Sequence, residues 1–454
     1  MTLVDTIAGY VSGLSLDTIP TRVLDSARDR LLDALSTALA SRDMKATQAI
    51  IAAVQVAGHG AGPSTVISNG TSAGAQDAAL INGTAVHAVL FEDYYAHNAD
   101  HPSATIVPAA LAAAEASGDL RGRAPTIGDL LVAIVAGYEV EVKLGDIVAT
   151  GIRARGLRTT GILGTVGASA AAASAFGLSA DRTAAAISMG ANLAHGFLEG
   201  FAHGTMEPYI HAGTAARNGI LAAHMGYGGV RTAPLSLEGR TGYLATLGDL
   251  APAEHALPVD DWGILRVTAK SYPLSGGART TVDTALDLLA QGVRGQDVDG
   301  VVIRLPHRSM QFPGLNNQGP FTSMNEVQDS IQFAAAAALL GRPMHSLKTV
   351  MLGYADAEVA ELCQRIEVVG EDDRVVDGKV VSQIDVTLRD GRTFSSQVDL
   401  PADHLRTVEA MSEKLRLLSD GAWPARQTER VIELIVGDSS TPIEAFSAAL
   451  LGSD

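Results

Sequence analysis

Residues 82–108 read NGTAVHAVLFEDYYAHNADHPSATIVP. Within this stretch His87, Glu92, Asp93, His97, Asp100 and His101 fall inside fifteen residues. An alanine-rich helical run, Ala109 to Ala116, follows at once. The rest of the chain is bland by comparison, with 18% charged residues. A dense cluster of acids and imidazoles at the start of a helix, in so apolar a background, marks a candidate site. Polar loops are common, so composition does not decide the matter alone.

Working outward, 454 residues exceed one small core, and two or three domains are expected. The composition is 47% hydrophobic but only 4% aromatic, which suits closely packed helices with small side chains. The net charge is −17 and no basic patch stands out, so neither nucleic acid nor a membrane is an expected partner. A few local cations can still build an anion pocket. The one cysteine, Cys363, cannot form an internal disulfide, hold an iron–sulfur cluster or build a cysteine-based zinc site. No signal peptide or 18-residue apolar run is evident, and a cytoplasmic protein is the default expectation.

From Thr2 to about Leu250 the apolar spacing is helical. The runs are 22–39, 46–56, 73–89, 106–116, 126–148, 160–176, 179–189 and 214–225. Thr126 and Ser179 are N-cap candidates. The character changes near Trp262. Gly263–Thr268 reads as a strand leading into Lys270-Ser-Tyr-Pro. Helices are expected at 278–289 and 326–340, and strands at 301–305, 366–369, 383–388 and 393–398. Asp390-Gly391 is a hairpin turn between the last two. The tail returns to helix at 403–418 and 427–435, with a short stretch after Pro442. The expected fold is mainly α with a smaller α+β domain. Residues 1–264 and 401–454 form the helical domain, and 265–400 are the inserted α+β lid.

Further fragments follow the opening stretch in order: Gly137-Tyr-Glu139, Thr160-Gly161 with Gly164 and Gly167, His211 with Gly213, Ala215-Ala-Arg217-Asn-Gly219, Gly239 with Gly242-Tyr243, and Lys270-Ser-Tyr-Pro273. Together with Asn82-Gly83, His87, Phe91-Glu-Asp93, His101-Pro-Ser and Pro108, the set resembles the MmgE/PrpD family over nearly the whole chain. The family holds dehydratases, decarboxylases and epimerases of small carboxylic acids. The resemblance implies an all-helical domain plus a lid, a cleft between them, a homodimer, and no required metal or organic cofactor. Several positions depart from the pattern of relatives that act on citrate-like acids. Leu90 stands for an Asp, Tyr94 for a Thr, Arg158 for a cleft His, Pro208 for a Lys and Ser275 for a His. The loop to His101 is also one residue longer. These departures leave the scaffold in place and rewrite much of a polycarboxylate pocket.

Three candidate catalytic residues follow: Lys270, His101 and Asp93. A desolvated lysine accepts a proton, and a charged one holds a carboxylate. Imidazole titrates near neutrality and can move a proton. Asp93 and Glu92 are both placed to orient that imidazole or to cap the next helix. Arg158, Thr159 and Thr160 form a carboxylate-binding candidate, with the guanidinium fork beside a helix N-terminus. Tyr94, Tyr272, Ser275 and His211 complete the substrate-binding set. The bland alternatives are an exposed lysine, a helix-start histidine bonded to backbone and packing tyrosines. His97, Asp100 and His101 are plausible ligand types, but the spacing is not a strong zinc motif. No metal site is expected. The reading is a lyase, by dehydration or decarboxylation, that removes a proton beside a carboxylate of a small acid. Epimerisation on the same scaffold, a metal-dependent hydrolase and a non-catalytic binder are the alternatives.

Overall fold

Helix Pro102–Glu115 is buried along almost its entire length, which requires neighbours on every side. Its alanines allow that approach. Around it lie Ala75–His87, Ile127–Ala154, Thr159–Ala175 and Glu207–Tyr227. Two glycines show how close the backbones come. A Cβ on Gly213 would stand 2.1 Å from the carbonyl oxygen of Leu80, and one on Gly83 would stand 2.7 Å from the Cα of Gly213. Any larger residue there would push the helices apart.

The computed structural model describes residues 2–58, 61–248, 261–372, 375–376, 379–398 and 407–453. The expected boundary at 400/401, and the start of the tail helix at 403–406, lie outside the described residues. The two largest apolar cores lie in different parts of the fold. One joins Leu31, Leu35, Ile106 and Ile134 with Met411, Leu415, Ile432 and Phe446. The C-terminal helices Val408–Leu418 and Ala425–Val436 pack on Thr21–Ala40, so both chain ends build the helical body. The other core joins Val282, Leu288, Ile303, Phe333 and Ile384. Here strand Val298–Pro306 runs parallel to Ile366–Glu371 and antiparallel to Gln383–Leu388, which pairs with Thr393–Gln397. The last hairpin turns at Gly391, with φ +86°. The fold is therefore mainly α with a smaller α+β unit.

Three sequence readings need correction. Gly263–Arg266 is a 3-10 turn, not a strand; only Thr268 is paired, by a backbone bridge to Tyr94. Ile264 and Val267 are fully buried, and that spacing of three suits a helical turn, whereas in a strand the two would face opposite sides. The helix expected at 326–340 is two helices, Met324–Asp329 and Ile331–Leu339. Ser330 separates them, and its side chain caps the second by accepting from the N–H of Phe333 at 2.9 Å. Finally, a hairpin of Ser64–Val66 with Thr71–Ala73 interrupts the helical body where no strand was expected. Among the described residues no helix is long and apolar enough to cross a membrane.

Candidate active site

The loop from Ala88 to His101 holds both non-glycine residues with positive φ found among the described residues. Leu90 has φ +47° and Ala99 has φ +55°, a region that residues with a Cβ rarely occupy. Each turns its carbonyl toward a side chain from another element. Leu90 O accepts from the Nζ of Lys270 at 2.8 Å. Ala99 O accepts from the hydroxyl of Thr159 at 2.6 Å.

Three residues of the loop region form a buried triad. Oε1 of Glu92 lies 2.7 Å from Nδ1 of His87 and 2.7 Å from Nδ1 of His101. His87 ends helix Ala75–His87, and His101 is the residue just before Pro102, the first of the next helix. Burial lowers the pKa of both imidazoles, and Lys270 lowers that of His101 further, well below the usual value. Both rings are therefore neutral at pH 7; His87 donates Nδ1–H to Glu92, and the Nδ1–H of His101 faces both Glu92 Oε1 at 2.7 Å and the Asp93 backbone oxygen at 3.0 Å. Burial opposes the charge on Glu92, but Lys270 and the two imidazoles outweigh it and hold the carboxyl well below its usual range. His87 Nε2 then accepts from Arg158 at 3.3 Å. His101 Nε2 has no hydrogen-bond partner among the described residues, so it carries a free lone pair.

Lys270 enters this space from the α+β side. Burial pushes its pKa down to about 8, against the opposite pull of Glu92. Its ammonium also reaches Leu274 O, at 3.2 Å. The ring of Tyr94 is shared: its centroid is 5.2 Å from the His101 ring and 5.9 Å from Lys270 Nζ. Gly276 makes room for that ring, since a Cβ there would stand 2.3 Å from Tyr94 Cε1. A cavity of about 20 Å3 lies against Tyr94, Lys270, Ser275, Gly276 and Arg279, space for about one water.

Arg158 is the N-cap of helix Thr159–Ala175, and its guanidinium stacks 4.7 Å from the ring centroid of Phe201. Its Nε has no partner, and neither does the buried hydroxyl of Thr160. His211 and His195 lie edge to face with centroids 5.8 Å apart. Burial, with Arg158 nearby, pushes the His211 pKa down to about 3. A residue that the sequence did not single out completes the group. Asp329, at the C-terminal end of Met324–Asp329, is buried with neither carboxylate oxygen hydrogen-bonded. Burial raises its pKa to about 7 against the pull of Arg158 and Lys270.

The structure thus gathers His101, Lys270, Tyr94, Arg158 and His211 around one polar interior. It separates others. The Asp93 carboxylate faces the helical core, where it accepts from Tyr138 at 2.5 Å and from the N–H of Ser103 at 3.0 Å, with Arg30 at 3.6 Å. The carboxylate caps a helix and meets no imidazole, and Glu92 has that place; Asp93 reaches His101 only through its backbone oxygen, 3.0 Å from Nδ1. Thr159 is tied to the loop, as above. Tyr272 donates to Asp283 at 2.6 Å, and it and Ser275 both line the small cavity beside Lys270. His97 is exposed beside Tyr95, apart from the triad. Asp100 is buried near Glu141, and burial drives both carboxyls toward the protonated form. His87 and Glu92 were legible in the quoted stretch as residue types. Asp329 had no local signal.

His87, Glu92 and His101 could each offer a donor to one metal ion. Their surroundings oppose it. The Lys270 ammonium acts on both Glu92 and His101, and the Arg158 guanidinium acts on His87. A divalent cation would sit among fixed positive charges. The set fits a hydrogen-bonded proton-handling triad better than a ligand sphere.

An all-helical body, a smaller α+β unit and a buried imidazole–carboxylate–lysine group between them define a class of two-lobed acid–base scaffold. Comparison with known proteins gives the family. The MmgE/PrpD N-terminal domain matches residues 5–255, and the MmgE/PrpD C-terminal domain matches residues 272–438. The chain belongs to the MmgE/PrpD family. It is 27% identical over 380 residues to cis-aconitate decarboxylase of Homo sapiens, covering 79% of this chain and 75% of that protein. The mouse cis-aconitate decarboxylase is 27% identical over 346 residues, 72% of this chain and 68% of that protein. A cis-aconitate decarboxylase-like protein of Aspergillus oryzae, oryM, is 30% identical over 230 residues, half of this chain and 47% of its own length.

Proposed function

We propose that this chain is a lyase that moves a proton on the carbon beside a carboxylate of a small organic acid. The observation that carries the reading is the pair of His101 and Lys270, from different parts of the chain, on one Tyr94 ring. His101 is neutral, aimed by Glu92, and has a free Nε2 to take a proton from carbon. Lys270 and Arg158 supply the positive charge that holds a carboxylate and stabilises the electron-rich intermediate beside it. In a dehydration His101 takes the carbon-bound proton, the C–H electron pair becomes the new double bond, and hydroxyl leaves as water with a proton from an acid in the site. In a decarboxylation the C–C bond breaks, carbon dioxide leaves, and the carbon takes a proton from Lys270. The decarboxylase names of the relatives support this class of chemistry. The cavity of about 20 Å3 beside Lys270 holds about one water, less room than a di- or tricarboxylate needs.

The test is proton NMR in deuterium oxide with a panel of di- and tricarboxylates. Loss of water, loss of carbon dioxide and exchange at carbon give separate spectra, and epimerisation shows as exchange without loss. His101→Ala and Lys270→Ala should each slow the reaction by about 10² or more. Turnover of any panel member at an unchanged rate in both variants would remove this pair from the chemistry.

A further inference from the structure

We propose that Asp329 sets the substrate class of this site: its carboxyl receives a hydroxyl of a hydroxy-carboxylic acid and excludes an additional carboxylate. The assignment rests on the carboxylate-binding reading above and extends it to the rest of the molecule bound. Its basis is an unpartnered buried acid. Both oxygens of Asp329 lack any donor, although the side chain is fully enclosed. Buried polar groups in folded proteins are nearly always hydrogen-bonded, so a group left bare in a polar interior calls for a ligand. One helical turn earlier, Asn325 presents the same helix face and is also buried, beside the Tyr209 hydroxyl. The neighbouring Gln328 is tied elsewhere. It donates to Val89 O at 2.9 Å and accepts from Tyr209 at 2.6 Å, which fixes this short helix against the helical body.

The charge balance determines what Asp329 can accept. Lys270 and Arg158 are the cations that act on it. Glu92, the other acid here, spends Oε1 on two imidazoles, and its Oε2 is buried without a partner on the far side of that carboxyl. One substrate carboxylate satisfies the two cations. Above pH 7, where Asp329 is ionised, a further carboxylate on its side would set two anions together in a poorly solvated space. A protonated amine there would face Lys270 and Arg158. A hydroxyl meets neither objection: it donates to the carboxylate and leaves the charge count unchanged. Discrimination of this kind is strong because a mismatched ligand leaves buried charge uncompensated.

The experiment measures binding of three probes to the full chain by calorimetry: succinate, 2-hydroxysuccinate and propane-1,2,3-tricarboxylate. The wild type should bind 2-hydroxysuccinate at least tenfold more tightly than succinate, and the tricarboxylate weakest. Asp329→Asn, nearly isosteric, should bind the tricarboxylate at least tenfold better than the wild type does. Asp329→Leu, which cannot accept a hydrogen bond, should bring the two four-carbon acids within about threefold of each other. Circular dichroism and thermal melts confirm that each variant is folded; if one variant does not fold, the wild-type ranking and the other variant decide. If carboxylates bind but the ranking is the same in wild type and variants, the role of Asp329 is refuted and the lyase reading stands. If no probe, and no acid of the wider NMR panel, binds the wild type, both fall together.

Discussion

Oε1 of Glu92 lies 2.7 Å from Nδ1 of His101, and the same oxygen lies 2.7 Å from Nδ1 of His87. Glu92, with the Asp93 backbone oxygen 3.0 Å from His101 Nδ1, therefore sets the tautomer of the two imidazoles and leaves the far nitrogen of His101 free. Its negative charge also raises the basicity of His101 against burial and Lys270. Glu92→Gln keeps the shape and removes the charge. The expected outcome is a fall in kcat of about 10- to 10³-fold with KM within about threefold, the mark of a positioning residue. An equal fall in KM and kcat, or no change in either, would contradict this role.

Asp93 predicts a different phenotype. Its carboxylate is enclosed with Arg30, Tyr138 and the first turn of Pro102–Glu115. Asp93→Ala leaves the buried Arg30 without this partner and removes a helix cap. A loss of about 3–5 kcal/mol in urea unfolding is expected, the scale for breaking a buried ion pair. The pH profile of the protein that remains folded should match that of the wild type.

The contrast between these two neighbours shows what the sequence can and cannot tell. Their types and the helix that follows are plain in residues 82–108. Which of the two meets the imidazole depends on an irregular loop with left-handed backbone at Leu90 and Ala99, where no periodicity assigns a face. The helical body was legible from 3.6-residue spacing. The strands near 300 and 385 were legible from alternation. Asp329 was not, because its neighbours Arg158 and Lys270 are distant in sequence and Ser330 breaks a helix that the pattern reads as continuous. Long-range burial makes it a site residue, and local spacing does not record long-range burial.

Gly276 tests whether the Tyr94 wall matters. A Cβ at 276 would overlap the Tyr94 ring, so Gly276→Ala must move the ring that His101 and Lys270 share. The displacement should cut kcat/KM at least tenfold while the thermal midpoint drops by only a few degrees, since the strain is confined to one side chain. Full activity in a folded Gly276→Ala protein would show that the ring can shift without cost to the site.

Metal content separates proton chemistry from a metal-dependent hydrolase. With Lys270 and Arg158 beside the His87–Glu92–His101 group, purified protein should carry well under one equivalent of any transition metal. Activity should survive prolonged treatment with a chelator. Stoichiometric zinc, lost together with activity and restored on its return, would reassign the triad as ligands.

Lys270 gives the pH prediction. Its folded pKa is about 8, against 10.5 for the free side chain, because burial penalises the ammonium. The charged form is the one that holds a carboxylate. Substrate capture, read as kcat/KM, should therefore decline as pH rises through about 8, and a Lys270→Met protein should lack that limb. Stability moves the other way. Below pH 8 the lysine is protonated in both folded and unfolded chains, and the burial penalty is fully present. Between 8 and 10.5 the unfolded chain holds the extra proton, so folding becomes more favourable as pH rises, by roughly 3 kcal/mol in total from this group. The difference in unfolding free energy between wild type and Lys270→Met should shift in favour of the wild type across that window. A flat difference would mean that Lys270 keeps an ordinary pKa and is not desolvated as its position requires.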